Sequence, residues 1–237
     1  MAGMFRFDPG TNQYYPLLPY AGAGVAPVAP SRVSYWDPAT SSYKQVYPPP
    51  GPAFVKAASD TKDSGTNPSV TIDIAAGATL FIGTTTNSGI TAVSMDGGTA
   101  LTAYGQVLTT RIHQMFVLTG VAAGPHTFAM SGGGSWKTLL VAEYSGVTSV
   151  GDYTSKVSST QVQTHTPTGS GKLAVALVAS ASVSSAAGQN PANYIGTLRH
   201  RKDGLSDRSL AWVDHTAAPL GLNVSGSAMS VGCMWLN

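Results

Sequence analysis

From residue 53 onward, apolar and polar positions alternate with a period of two over short stretches. Val70, Ile72 and Ile74 alternate with Thr71 and Asp73, and Met229, Val231, Cys233 and Trp235 share one face of a final strand. A period of two is the mark of a half-buried strand. Turn-forming Gly, Ser, Asn and Asp separate the stretches. Strands are expected at 53–58, 69–74, 79–83, 91–95, 112–119, 126–130 and 136–145. A second set is expected at 161–166, 172–179, 193–200, 208–214, 220–225 and 228–236. Asp96-Gly97-Gly98 carries the Asp-Gly signature of a tight hairpin turn. Strands of this number and length imply an all-β protein, a two-sheet jelly-roll-like sandwich.

The second set repeats features of the first. "MFVLTGVAAGPHTFAMSGGGSWKTLLVAEY" (115–144) is similar to "LAWVDHTAAPLGLNVSGSAMSVGCMWL" (210–236). In each, a strand ends at a turn with Ala-Ala before Gly or Pro. A strand ending in Ser-Gly follows, then a long apolar strand, and a further apolar strand precedes each block at Thr79 and at Lys172. Residues 53–237 are therefore expected to form a body with two related halves, near 53–150 and 151–237. At about 185 residues such a body buries roughly 70% of its unfolded surface and needs no disulfide.

Residues 1–52 follow other rules. The first fifty hold nine of the fifteen prolines and nine of the twenty aromatics. "AGAGVAPVAP" (21–30) reads as a linker, and "PPPGP" (48–52) as a stiff extended spacer, because Pro fixes φ and removes a donor. Across the linker one phrase is written twice, 29 residues apart: "FDPGTNQY" (7–14) and "WDPATSSY" (36–43). Each Asp-Pro can open a type I turn, with Asp accepting backbone bonds and Pro presetting φ. Such a turn brings the aromatic before it towards the Tyr after it. Ordinary disordered segments avoid aromatics. An extended Pro/aromatic-rich arm carrying two aromatic clips is thus expected to dock on another surface, through Phe7, Asp8, Pro9, Tyr14, Tyr15, Tyr35, Trp36, Asp37, Pro38 and Tyr43. The plainer reading is two Asp-Pro turns arising independently in a Pro-rich tail.

Composition supports this division. Charged residues make up only 10% of the chain, glutamate occurs once (Glu143), and formal net charge is +2. Nucleic-acid binding needs a concentrated basic face. The densest basic cluster, Arg199-His200-Arg201-Lys202, is followed by Asp203 and reads as a solvated hairpin turn. The start, Met-Ala-Gly-Met-Phe-Arg, lacks the apolar core of a signal peptide, and the apolar stretch 173–183 is too short to span a bilayer. Synthesis in a cytosol is expected, with no membrane and no nucleic-acid partner. The lone Cys233 lies in an apolar terminal strand, where it reads as a small core residue.

Catalytic patterns are sparse. The five histidines lack zinc-ligand spacing, and His113 and His126 read as outward-facing or capped strand residues. Asp214 and His215 are adjacent on a strand and so point to opposite faces. "GSGKL" (169–173) has Leu where a phosphate loop requires Ser or Thr, and no Gly-x-Ser-x-Gly occurs. Asp203 and Asp207 read as surface turn residues rather than a catalytic carboxylate pair. No catalytic residue, cofactor or metal ligand is assigned. Trp212 and Trp235 fall in apolar alternation and read as core. Trp136, after "SGGGS", and Tyr194 are the candidate glycan contacts.

The order "GATLFIG…ITAVSMDGGTALT…IHQMFVLTGVAAGPHTFAMSGGGSWKTLLVAEYSGV" resembles a jelly-roll-like β-sandwich domain that recurs in tailed-bacteriophage virion proteins and in some bacterial surface proteins. The matching elements are Asp96-Gly97 with Leu101-Thr102, Phe116 and Leu118, Gly124 with His126-Thr127, and Ser145-Gly146-Val147, within roughly 55–237. The resemblance implies a non-enzymatic virion accessory protein, assembled in the host cytoplasm. Capsid decoration or a head fibre is favoured over a tail component, and the alternative is a tail or tail-fibre module that binds host-surface glycan. On this reading residues 1–52 anchor to the major capsid protein or another virion protein, and a homo-oligomer such as a trimer is expected.

Overall fold

The computed structural model describes residues 51–63, 65–108, 112–158, 163–181, 185–204, 209–224 and 227–237, and four strands within the first fifty. The chain divides into two compact units, Met1–Pro50 and Gly51–Asn237. The first holds two hairpins: β1 (Met4–Asp8) with β2 (Gln13–Leu17), and β3 (Val33–Asp37) with β4 (Ser42–Tyr47). The stretch expected as an extended arm thus contains chain that folds back once within each copy of the repeat.

Among its described residues the second unit is all-β apart from one short helix and one 3-10 turn. Its first eight strands are β5 (Ala53–Lys62), β6 (Ser69–Ile74), β7 (Thr79–Thr86), β8 (Thr91–Met95), β9 (Gly105–Val107), β10 (Ile112–Thr119), β11 (Gly124–Gly132) and β12 (Lys137–Ser145). The next eight are β13 (Thr154–Ser158), β14 (Gln163–His165), β15 (Leu173–Ala181), β16 (Tyr194–Ile195), β17 (Thr197–Asp203), β18 (Ser209–His215), β19 (Leu220–Leu222) and β20 (Ser227–Leu236). A helix at Ser185–Gln189 and the 3-10 turn at Pro191–Asn193 precede β16.

Each set of eight makes one five-stranded and one three-stranded sheet. The orders are β5-β12-β7-β10-β9 with β6-β11-β8, then β13-β20-β15-β18-β17 with β14-β19-β16. Counted within its own set, each half has the order 1-8-3-6-5 over 2-7-4. Pairing first with eighth, second with seventh and third with sixth is what a long antiparallel hairpin gives when it is rolled up, the jelly-roll principle. The blocks compared in sequence fill strands six to eight of each half.

Three apolar clusters separate four layers. Val70, Ile72, Leu80, Ile82, Phe116, Phe128 and Val141 lie between the two sheets of the first half. Ala174, Val178, Val213, Leu220, Leu222, Val231 and Trp235 do the same in the second. The third cluster, with Phe81, Met115, Leu140, Tyr144, Leu177, Trp212 and Met234, lies between the two five-stranded sheets. The central strands of those sheets are therefore buried on both faces. All eight residues of β7 are buried, and so are the first eight of β12, which is why neither alternates in hydropathy. β6 belongs to an outer sheet and alternates strictly between exposed and buried.

The halves meet with β5 beside β17 and β9 beside β13. First strand against fifth, and fifth against first, is the arrangement of a two-fold axis. Near its centre Gly83 of β7 receives Leu177 of β15: a Cβ on Gly83 would overlap both Leu177 methyl carbons. The ten members of this central cluster as large as leucine contribute on the order of 15–30 kcal/mol by burial, more than the roughly 5–15 kcal/mol net stability of a typical domain.

The Asp-Gly turn forms as expected. Asp96 (φ 52°) and Gly97 (φ 71°) both have positive φ, and Gly98 N–H donates to the Met95 carbonyl at 2.9 Å. Positive φ at both central positions is the requirement of a type I′ turn. Strands β9 and β13 lie outside the expected set, and the basic cluster lies in strand β17 rather than in a turn. Gly83→Val should destabilise the body by about 1–3 kcal/mol through overpacking, read as a lower denaturant midpoint. Adding Leu177→Ala should relieve part of that loss, and strictly additive losses would show that the two positions do not share one space.

Candidate functional site

The repeat in the first unit has a defined register. Phe7 is the partner of Tyr14, and Trp36 is the partner of Tyr43. Asp8 pairs with Gln13 and Asp37 with Ser42, so four residues close each hairpin. One rung further from the loop, Arg6 pairs with Tyr15 in the first hairpin and Tyr35 with Lys44 in the second. Each hairpin thus sets a cation opposite a tyrosine, with the two strands exchanged. Pro9 and Pro38, and with them the expected type I turns, lie outside the described residues. A two-stranded hairpin is marginal on its own in water.

In the body, the expected glycan contacts separate. Trp136 is half-buried; its backbone N–H donates to Asn87 Oδ1 at 3.4 Å, and Gly133 N–H donates to the Ile90 carbonyl at 3.0 Å. These bonds join two rim loops beside Ile90, which is 61% exposed. Tyr194 is 6% exposed and packs in the core of the second half, with its hydroxyl accepting from Arg201 Nη1 at 3.2 Å. It presents no ring face for stacking, which corrects the expectation. Trp212 and Trp235 are core, as expected. A shallow cleft of about 320 Å³ lies between Tyr104, Val117, Thr119 and the 147–150 turn.

The charged groups serve the junction between halves. Arg199 Nε donates to both Asp214 oxygens, at 2.8 and 2.9 Å, and its guanidinium lies 5.3 Å from the Phe54 ring centre. Tyr144 donates to Asp214 Oδ2 at 2.7 Å and accepts from Trp212 Nε1 at 2.8 Å. Burial first, then the Asp214 carboxylate, push the Tyr144 phenol far above its usual range. His200 Nε2 meets Ser59 Oγ at 2.7 Å, and Arg201 pairs with Asp203 at 2.5 Å. The basic run is therefore partnered strand chemistry. Asp214 is buried and His215 exposed, on opposite faces as expected. Asp207 lies outside the described residues. In "GSGKL", Lys172 N–H donates to the Leu236 carbonyl at 2.8 Å, so that backbone belongs to the sheet.

Of the outward-facing or capped placements expected of His113, the outward one does not hold: both ring nitrogens are hydrogen-bonded and the ring is enclosed. It is wholly buried, with Nδ1 2.6 Å from Ser230 Oγ and Nε2 2.6 Å from the Tyr153 hydroxyl. Tyr153 in turn fills space above Gly105 and Gly232, where no Cβ would fit. Burial pushes the imidazole down to about 3 and keeps it neutral. His126 is the capped residue expected: Nδ1 donates to Asp96 Oδ2 at 2.6 Å and Nε2 to the Ala122 carbonyl at 3.0 Å. Both neighbours only accept, so the geometry favours the protonated ring, which donates at both nitrogens. The Asp96 hydrogen bond, and then the carbonyl, raise it above 6.5.

Among the described residues no cluster of His, Cys, Asp and Glu could hold a metal ion, and no helix is long and apolar enough to cross a membrane. Comparison of the chain with protein-family models, with curated proteins and with solved structures finds no match.

The two histidines predict opposite pH dependences. Unfolded His113 takes up a proton below about 6.5 while the folded residue stays neutral to about 3. Stability should fall with acidification by about 1.4 kcal/mol per pH unit in that window. His113→Gln should remove about one proton's worth of this slope. His126 stabilises fully below about 6.5, and its share is lost as pH rises through its raised folded value, so His126→Gln should remove an alkaline-side decline. Unfolding midpoints from pH 4 to 9 measure both, and unchanged slopes would contradict these assignments.

Proposed function

We propose that this chain is a non-enzymatic structural protein of a tailed-phage virion, anchored through residues 1–52 to the capsid protein or a neighbouring virion protein, with the β-sandwich body displayed. Capsid decoration or a head fibre is the favoured place. The observation that carries this reading is the repeated hairpin register in a unit distinct from the body, with Phe7 opposite Tyr14 and Trp36 opposite Tyr43. The jelly-roll-like strand order of residues 53–237 supports the same reading, by its likeness in kind to virion display domains. Deleting residues 1–50 should leave the body folded, since its three cores lie within Gly51–Asn237, and should abolish incorporation into particles. A truncated body that still incorporates at the full copy number would overturn the anchoring role.

A second reading, a tail or tail-fibre component binding host-surface glycan, is favoured by Trp136 at the rim beside the exposed Ile90. It predicts that adsorption to host cells falls at least tenfold with Trp136→Ala while the unfolding midpoint stays within a few degrees. Unchanged adsorption would remove it.

A further inference from the structure

We propose that the two hairpins are one docking module written twice, and that they occupy the same kind of site on two copies of one repeated virion subunit. This rests on the anchoring role proposed above and adds its valency, spacing and partner chemistry.

Equivalence is carried by the backbone register. Both hairpins place an aromatic opposite Tyr on the rung nearest but one to the loop, and both close with four residues. Both place a cation opposite a tyrosine on the next rung, as Arg6 with Tyr15 and Tyr35 with Lys44. Further out the likeness ends: Phe5 pairs with Pro16, whereas Ser34 pairs with Gln45. The shared chemistry is therefore confined to the loop-proximal half of each hairpin. The aromatic-pair rung and the cation-tyrosine rung are adjacent in each ladder. The partner that fits is a protein surface that takes an aromatic pair and supplies an acidic or carbonyl acceptor for the cation.

Spacing follows from covalent geometry. Leu17 and Val33 are sixteen residues apart. At about 3.3–3.6 Å per residue the two modules sit no more than ~55 Å apart, within reach of neighbouring subunits in a shell or ring. A second module on the same chain binds at an effective concentration set by that connection, which raises affinity about 10²–10⁴-fold with no new kind of contact.

The test uses particles assembled without this chain as the probe, titrated with purified full-length protein. F7A/Y14A and W36A/Y43A should each weaken binding about 10²–10⁴-fold, with the unfolding midpoint of the body unchanged. The fourfold variant should show no saturable binding. A chain carrying residues 33–46 in place of 4–17 should bind within a few-fold of the intact protein, because the sites are alike. If either double variant binds as tightly as the intact chain, one hairpin suffices and bivalency is wrong, while anchoring stands. Loss of binding in the exchanged chain would show two different sites and overturn the equivalence. An intact chain that fails to bind the particles at all would overturn the anchoring role, and this inference with it.

Discussion

Burial of the central strands of the five-stranded sheets on both faces is the constraint from which the rest of the body follows. A sheet in an ordinary antiparallel sandwich has one wet face and can be built from alternating residues. Here Leu139 and Val141 face one core while Leu140 and Ala142 face another. Neither half can expose Phe81, Leu140 and Tyr144, or Leu177, Trp212 and Met234, without losing the burial of the central cluster. The half is thus the unit of topology, and the pair is the unit of stability. Tolerance is small at the centre, where Leu177 occupies the space that a side chain at position 83 would need.

The ends of the junction solve one problem with different chemistry. Where first strand meets fifth, polar groups lie between sheets that exclude water. At the β5–β17 edge, Arg199, Asp214, Tyr144 and Trp212 satisfy one another, and Phe54 covers the guanidinium. At the β9–β13 edge, neutral His113 joins Ser230 to Tyr153, and glycines at 105 and 232 make room for the phenol. The aromatic at the start of each half, Phe54 or Tyr153, lies over the fifth strand of the other. One position is retained and its partners differ, which is what a duplicated frame allows once the backbone is fixed. These groups read as chemistry in isolation, but each is consumed by the fold.

Much of the body was legible from local pattern, and the reasons are specific. β6 and β20 declare themselves by alternation, and β7, β12 and β15 by apolar runs bounded by turns. The Asp96-Gly97 turn needed no tertiary information, because backbone conformation alone selects its residues. β9 and β13 were not legible, being short, polar edge strands whose pairing is decided by their neighbours. The burial of His113 was not legible for a related reason: its partners lie 117 and 40 residues away, so nothing near it in sequence marks it as buried. Tyr194 was misjudged because the helix and 3-10 turn before β16, which lead it into the core, carry no strong helical signal. In the first unit the aromatic-to-Tyr pairing was legible from the repeat, because spacing and an Asp-Pro start suffice to place two positions opposite each other. The cation-tyrosine rung was not, because its residues exchange strands between the copies and vanish from a position-by-position comparison.

The two duplications in this chain differ in how they close. In the body, the copies face each other across a two-fold arrangement and bury their like surfaces together, so the repetition is used up in making one object. The hairpins are each a separate two-stranded sheet, and a sheet of two strands leaves both its outer edges unpaired. Repetition that does not close on itself gains most when the surface it meets also repeats, since each copy can then make the same contacts. The first fifty residues also hold nine aromatics in a chain otherwise economical with them, a concentration of contact area suited to being covered. Closed repetition thus builds the body, whereas the repetition of the first fifty residues stays open, which is what the anchoring role proposed for them requires.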